Sequence, residues 1–74
     1  MEVSLKQLAE NWPSPLVARP KVGVFSGGAI SPRYIANLDA QGRGPRGRIR
    51  IGCKVVYPVA ELVRWLEARA TLLE

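Results

Sequence analysis

The stretch Ser31-Pro32-Arg33-Tyr34-Ile35-Ala36-Asn37-Leu38-Asp39-Ala40-Gln41-Gly42 carries a helix start, a helix stop and one apolar side. Ser31 is an N-cap, because its hydroxyl can accept an N–H that the first helical turn leaves without a partner. Pro32 suits the first helical position, and Gly42 stands just past the far end as a C-cap. Ile30 before the cap and Ile35 at the fourth helical position form a hydrophobic staple. At 100° per residue Tyr34, Ile35 and Leu38 cluster on one side, and Arg33, Ala36, Asn37 and Ala40 share the other. That second row has the chemistry of a groove reader. Its alanines allow close approach, Asn37 can pair bidentately with an adenine edge, and Arg33 lies near the positive helix end. An ordinary solvated face has the same pattern, so the surroundings must decide.

Downstream, Gly42-Arg43-Gly44-Pro45-Arg46-Gly47 excludes regular structure and reads as a flexible basic loop. Arg48-Ile49-Arg50-Ile51 then alternates with period 2. The expectation is that the isoleucines pack on the domain while the arginines point toward phosphates. Gly52-Cys53 fits a type II′ hairpin turn, and Lys54-Val55-Val56-Tyr57 returns. A two-stranded hairpin is barely stable alone and must pack against helices. Pro58 opens a final helix, with Val59, Leu62, Val63, Leu66, Ala70 and Leu73 on a broad apolar stripe and Trp65 on its flank.

Upstream, Gly27-Gly28 is a turn. Residues 19–26 are ambiguous by propensity: Val22 and Val24 favour a strand and Gly23 weakens a helix, yet Pro20 suits a helix start and Val22 and Phe25 share a helical face. The helical reading is adopted. At the N-terminus Ser4-Leu5-Lys6-Gln7 has the pattern of a capping box. Leu5, Leu8, Ala9 and Trp12 form one amphipathic stripe, with Trp12 a core anchor, and Trp12-Pro13-Ser14-Pro15 reads as an extended linker. The order is helix, linker, short helix, tight turn, capped helix, basic loop, hairpin, helix. The expected fold is a mostly helical α+β domain: a winged helix-turn-helix over residues 19–74, with a two-stranded antiparallel wing. An extra N-terminal helix and Pro-rich linker precede it over residues 1–18.

Composition narrows the function. Seventy-four residues, 47% of them hydrophobic, suit one small domain rather than a disordered chain. Such a chain buries only about 60% of its unfolded surface, leaving no room for a large enclosed substrate cavity. The absence of His and the single Cys53 argue against a zinc site and a disulfide framework. With no long apolar run and no basic, apolar leader, a cytoplasmic location without membrane attachment is expected. Acids are few and dispersed, so no general acid–base pair is evident and no enzyme or cofactor is expected. The formal charge of +5 is unevenly spread. Residues 19–54 hold Arg19, Lys21, Arg33, Arg43, Arg46, Arg48, Arg50 and Lys54 against Asp39 alone, a net of +7, while each flank carries −1. Cations segregated in this way suit a polyanion, because neutralising phosphates releases condensed counterions.

From about Phe25 to Leu66 the chain resembles the small excisionase and AlpA-like proteins, relatives of the DNA-binding domain of MerR regulators. The resemblance rests on Gly27-Gly28-Ala29-Ile30-Ser31-Pro32-Arg33, on Ala36-Asn37-Leu38 ahead of Gly42-Arg43-Gly44-Pro45, and on Ile51-Gly52, Val55-Val56-Tyr57 and Leu62-Val63-Arg64-Trp65-Leu66. It implies a prophage or mobile-element protein that binds double-stranded DNA, as a transcriptional regulator or an excisionase-type recombination directionality factor. It also implies that residues 19–26 are the first helix of the helix-turn-helix. Ser31, Arg33, Tyr34 and Asn37 match the family's recognition helix, and Arg50 and Lys54 its basic wing. Cys53 departs from the pattern, where a basic residue is usual. Together with Arg43, Arg46 and Arg48, these form the expected DNA-binding set. A phage integrase or recombinase as partner, and cooperative self-association on DNA, are further implications. Two other readings remain. One is an accessory module docking on a recombinase through Arg64, Glu67 and Arg69; the other is RNA binding through the Arg/Gly loop, with Tyr34 and Tyr57 as nearby rings.

Overall fold

A computed structural model of the chain describes residues 3–73. Along them run α1 (Lys6–Glu10), β1 (Leu16–Ala18), a 3-10 turn (Arg19–Lys21), α2 (Val22–Phe25), α3 (Pro32–Ala40), β2 (Ile49–Ile51), β3 (Lys54–Pro58) and α4 (Val59–Arg69). The result is a small α+β arrangement in which the described residues form four α-helices and one antiparallel sheet of three strands, ordered β1-β3-β2.

The helix read from Ser31 forms as its caps dictate. Ser31 Oγ accepts the Tyr34 N–H at 3.0 Å, and Pro32 occupies the first turn. At the other end Gly42 adopts φ 73°, which lets Arg43 N donate to Leu38 O at 2.8 Å and Gly42 N to Asp39 O at 3.1 Å. These two bonds are a Schellman ending, and a residue with a Cβ would be strained there. Before it, Gly27 and Gly28 at φ 70° and 89° turn the chain from α2 into α3, while Ser26 Oγ accepts from Ile30 N at 3.0 Å. Of residues 19–26, all but Ser26, the C-cap, are helical, the first turn being 3-10 with Pro20 in it. Val22 and Phe25 are both buried, so the three-residue spacing outweighed strand propensity.

The core joins Val17, Val22, Phe25, Ile35, Tyr57, Val59, Leu62, Val63 and Leu66, with Leu5, Leu8, Ala9 and Trp12 of the N-terminal segment packed against it. Trp12 meets Phe25 edge-to-face at 5.3 Å and donates from Nε1 to Leu16 O at 2.9 Å. The N-terminal helix therefore covers the core, as its apolar stripe predicts.

Several expectations need correction. The capping box at Ser4 does not form: the helix begins at Lys6 without a side-chain cap, and the Leu5 N–H instead donates to Glu67 Oε2 at 2.7 Å. A carboxylate from α4 satisfies that donor, a partner no local pattern can reveal. The linker runs into a strand, β1, whose Val17 pairs with Tyr57, so the β2–β3 hairpin expected as a two-stranded wing is part of a three-stranded sheet. At the C-terminus α4 stops at Arg69, and Leu73 is 87% exposed rather than on the apolar stripe.

The wing isoleucines also differ from expectation. Directly opposed residues share a sheet face. Arg50 opposes Val55 and Val17 opposes Tyr57, so Arg50 lies on the face that carries the core residues Val17 and Tyr57. Ile49 opposes Val56 and Ile51 opposes Lys54, on the other face, where Ile49 and Ile51 are 43% and 57% exposed. Period-2 alternation separates two faces but does not say which of them meets the core. The hairpin turn itself is as read: Gly52 has φ 64° and Cys53 a negative φ, the signs of type II′.

Candidate nucleic-acid interface

On α3, the row Arg33, Asn37 and Ala40 is exposed and Ala36 half-buried, while Ile35, Leu38 and Asp39 are buried. Ser31 is spent on the cap, where its hydroxyl fixes the first turn. Tyr34 does not join the inward cluster that the helical wheel assigns to it. It is exposed at the margin of α3, and its hydroxyl accepts a hydrogen bond from Arg69 Nη2 at 2.7 Å. The Arg69 guanidinium also lies 5.0 Å from the Trp65 ring centroid and 5.9 Å from that of Tyr34. A cation held against two rings ties α3 to α4.

The loop after α3 is anchored rather than flexible. Arg43 O accepts from Trp65 Nε1 at 3.0 Å, and Pro45 is fully buried. Gly44 passes so close to Asp39 that a Cβ on it would stand 1.8 Å from Oδ1. The residues that exclude regular structure thus make the loop fit a fixed bed. Arg43 and Arg46 present exposed side chains from it, and Arg50 and Lys54 do so from the wing.

Beneath the loop is a buried polar cluster that sequence reasoning missed. Asp39 Oδ2 accepts from Tyr57 Oη at 2.5 Å and from Arg19 Nη2 at 2.7 Å, and Arg19 Nε donates to Tyr57 Oη at 3.0 Å. Arg48 Nη1 stands 3.9 Å from Asp39 Oδ1. Burial, with the hydroxyl donating to Asp39, pushes the Tyr57 phenol up to about 12. The Tyr57 hydrogen bond is the largest influence holding the Arg19 guanidinium protonated beyond its usual range. The signal for this cluster was present in the sequence. Asp39 is the lone acid of a +7 segment and lies one turn from Ile35, on its inward side. A carboxylate placed there must find cations, because an unpaired buried charge is prohibitively costly.

Asp39 takes up two of the eight central cations. Among the described residues Lys21, Arg33, Arg43, Arg46, Arg50 and Lys54 form no ion pair, and all six are exposed. No cluster of potential metal-ligating side chains occurs among the described residues, and no helix there is long and apolar enough to cross a membrane. Comparison with known protein families, curated proteins and solved structures finds no match to this chain.

Proposed function

We propose that this chain binds duplex DNA as a winged helix-turn-helix protein of the excisionase-like type. Its role would be that of a prophage or mobile-element regulator or recombination directionality factor. The observation that carries the proposal is that six cations of the central segment are exposed and form no ion pair among the described residues, one of them, Arg33, on a capped helix whose exposed row also holds Asn37 and Ala40. In this reading α3 enters the major groove. Asn37 pairs with an adenine edge and Arg33 with guanine or phosphate, while the alanines let the backbone come close. Arg46, Arg48, Arg50 and Lys54 grip the sugar–phosphate backbone, which sets register and affinity rather than sequence choice.

Fluorescence anisotropy on a labelled duplex across a salt series tests this. Four backbone contacts, at about 0.9 each, give a slope of about −3.6 in log K against log [salt]. Absent or salt-indifferent binding overturns the proposal. Asn37→Ala is expected to relax base preference at one position more than it lowers overall affinity. The alternatives are less well supplied. Arg64, Glu67 and Arg69, offered for recombinase docking, already bond within the chain, to Glu61, Leu5 and Tyr34. Of the two rings near the basic loop, Tyr57 is completely buried and has no face for an RNA base.

A further inference from the structure

The end of α3 holds a carboxylate oxygen with unused bonding capacity. Asp39 Oδ2 takes the short contacts from Tyr57 and Arg19, whereas Oδ1 is buried and accepts no hydrogen bond from the described residues. The Arg48 guanidinium, 3.9 Å from Oδ1, is at ion-pair separation but beyond hydrogen-bonding range. The Arg48 side chain is 49% exposed against 5% for Asp39, and it donates no hydrogen bond to a described residue. Arg48 lies between Gly47, at φ 74°, and the first residue of β2. A buried negative charge therefore attracts a half-exposed guanidinium while leaving its fork of donors uncommitted.

We propose that Asp39 is a positioning residue for Arg48, holding its guanidinium at the root of the wing as a pre-oriented clamp for a DNA backbone phosphate. The proposal rests on the duplex-binding reading above and adds a residue to it that touches no DNA. Its physical basis is entropic. A free arginine loses rotamer freedom when it meets a phosphate, at a cost of about 0.5–1.5 kcal/mol. A carboxylate behind it removes part of that cost before binding. The planar fork then needs little rearrangement to engage two phosphate oxygens.

The sign of one substitution separates this from general electrostatics. Asp39→Asn removes a negative charge from a protein that binds a polyanion, so long-range attraction alone predicts tighter binding. Positioning predicts weaker binding, by about two- to tenfold. Because Arg48 keeps its charge and its phosphate contact, the salt slope stays near the native one, whereas Arg48→Gln makes it shallower by about 0.9, and Asp39→Asn added to Arg48→Gln weakens binding no further. A purely structural role for Asp39 lowers the folded fraction. That weakens binding by the same factor in the Arg48→Gln background, and circular dichroism reports the lost folded fraction directly. Where Asp39→Asn does not fold, side-chain ¹⁵N relaxation of the native protein decides instead: Arg48 Nε is expected to be more ordered than Arg50 Nε in the absence of DNA. Binding at native or greater strength, equal weakening by Asp39→Asn in the native and Arg48→Gln backgrounds, or an Arg48 as mobile as Arg50 overturns the positioning role. Failure of the native protein to bind duplex at all overturns the DNA reading itself.

Discussion

At the end of α3, Asp39, Arg19 and Tyr57 are locked to one another and Gly44 fits against them with no room for a methyl group. In β2, by contrast, all three residues are exposed, and the strand is held to the domain through its pairing with β3. Both regions belong to the same basic segment, joined by a loop that Trp65 and the buried Pro45 pin down. The difference teaches how a small domain can present cations accurately. Rigidity is concentrated at the base, where each contact depends on the others. The wing needs only a correct turn and register. Substitutions should therefore be costly at the base and nearly free on the wing, whatever their effect on binding.

The strongest way to break this contrast is Gly44→Ala. The added Cβ meets Asp39 Oδ1 at 1.8 Å and Cγ at 2.8 Å, and Asp39 cannot retreat without giving up Tyr57 or Arg19. Disrupting a buried ion pair in this way costs about 3–5 kcal/mol, a large part of the stability of a domain of this size. Urea denaturation is expected to show that loss. A change below about 1 kcal/mol would mean that the loop moves freely and that the base is not rigid.

Tyr57 gives a second, pH-dependent effect. Its phenol is raised from 10.0 to about 12 in the folded protein, so between those values the unfolded chain releases a proton that the folded chain keeps. Unfolding is then favoured as pH rises: the stabilisation is complete below pH 10 and is lost on passing through 12. Tyr57→Phe is expected to cost about 1–3 kcal/mol at neutral pH, because Asp39 and Arg19 each lose a partner. It should also remove the tyrosine contribution to alkaline destabilisation. Equal alkaline slopes in native and variant protein would place that destabilisation elsewhere.

The same contrast explains what could be read in advance. Local chemistry legislated α3: Ser31, Pro32 and Gly42 act within a few residues of themselves, and each does what its side chain or missing Cβ demands. The II′ turn at Gly52 is of the same kind. Several of the misread features depend on partners distant in sequence. The Leu5 N–H at the start of α1 meets Glu67 across 62 residues, β1 becomes a strand only because β3 lies beside it, and Tyr34 turns outward where Arg69 can reach it. All nine expected site residues are exposed, but three already have partners within the chain: Ser31 is committed to its cap, Tyr34 is bonded to Arg69, and Arg48 is paired with Asp39. Asp39 was counted only as a charge, although its helical position already placed it inside.

The smallest predicted effect tests the wing. If Ile51 packed against the domain, replacing it with serine would remove a buried side chain and cost well over 1 kcal/mol. The register instead sets Ile51 across from Lys54, at 57% exposure, on the face opposite to Val17 and Tyr57. Ile51→Ser should then change stability by less than about 0.5 kcal/mol, the residue of a lost strand propensity. Thermal denaturation compared with Val17→Ala, which empties a fully buried position in the same sheet, gives the scale against which to judge it. A loss for Ile51→Ser approaching that of Val17→Ala would show that the wing folds down onto the domain. Near-neutrality leaves Ile51 on an exposed face of the β2–β3 hairpin, opposite to the face that carries Arg50.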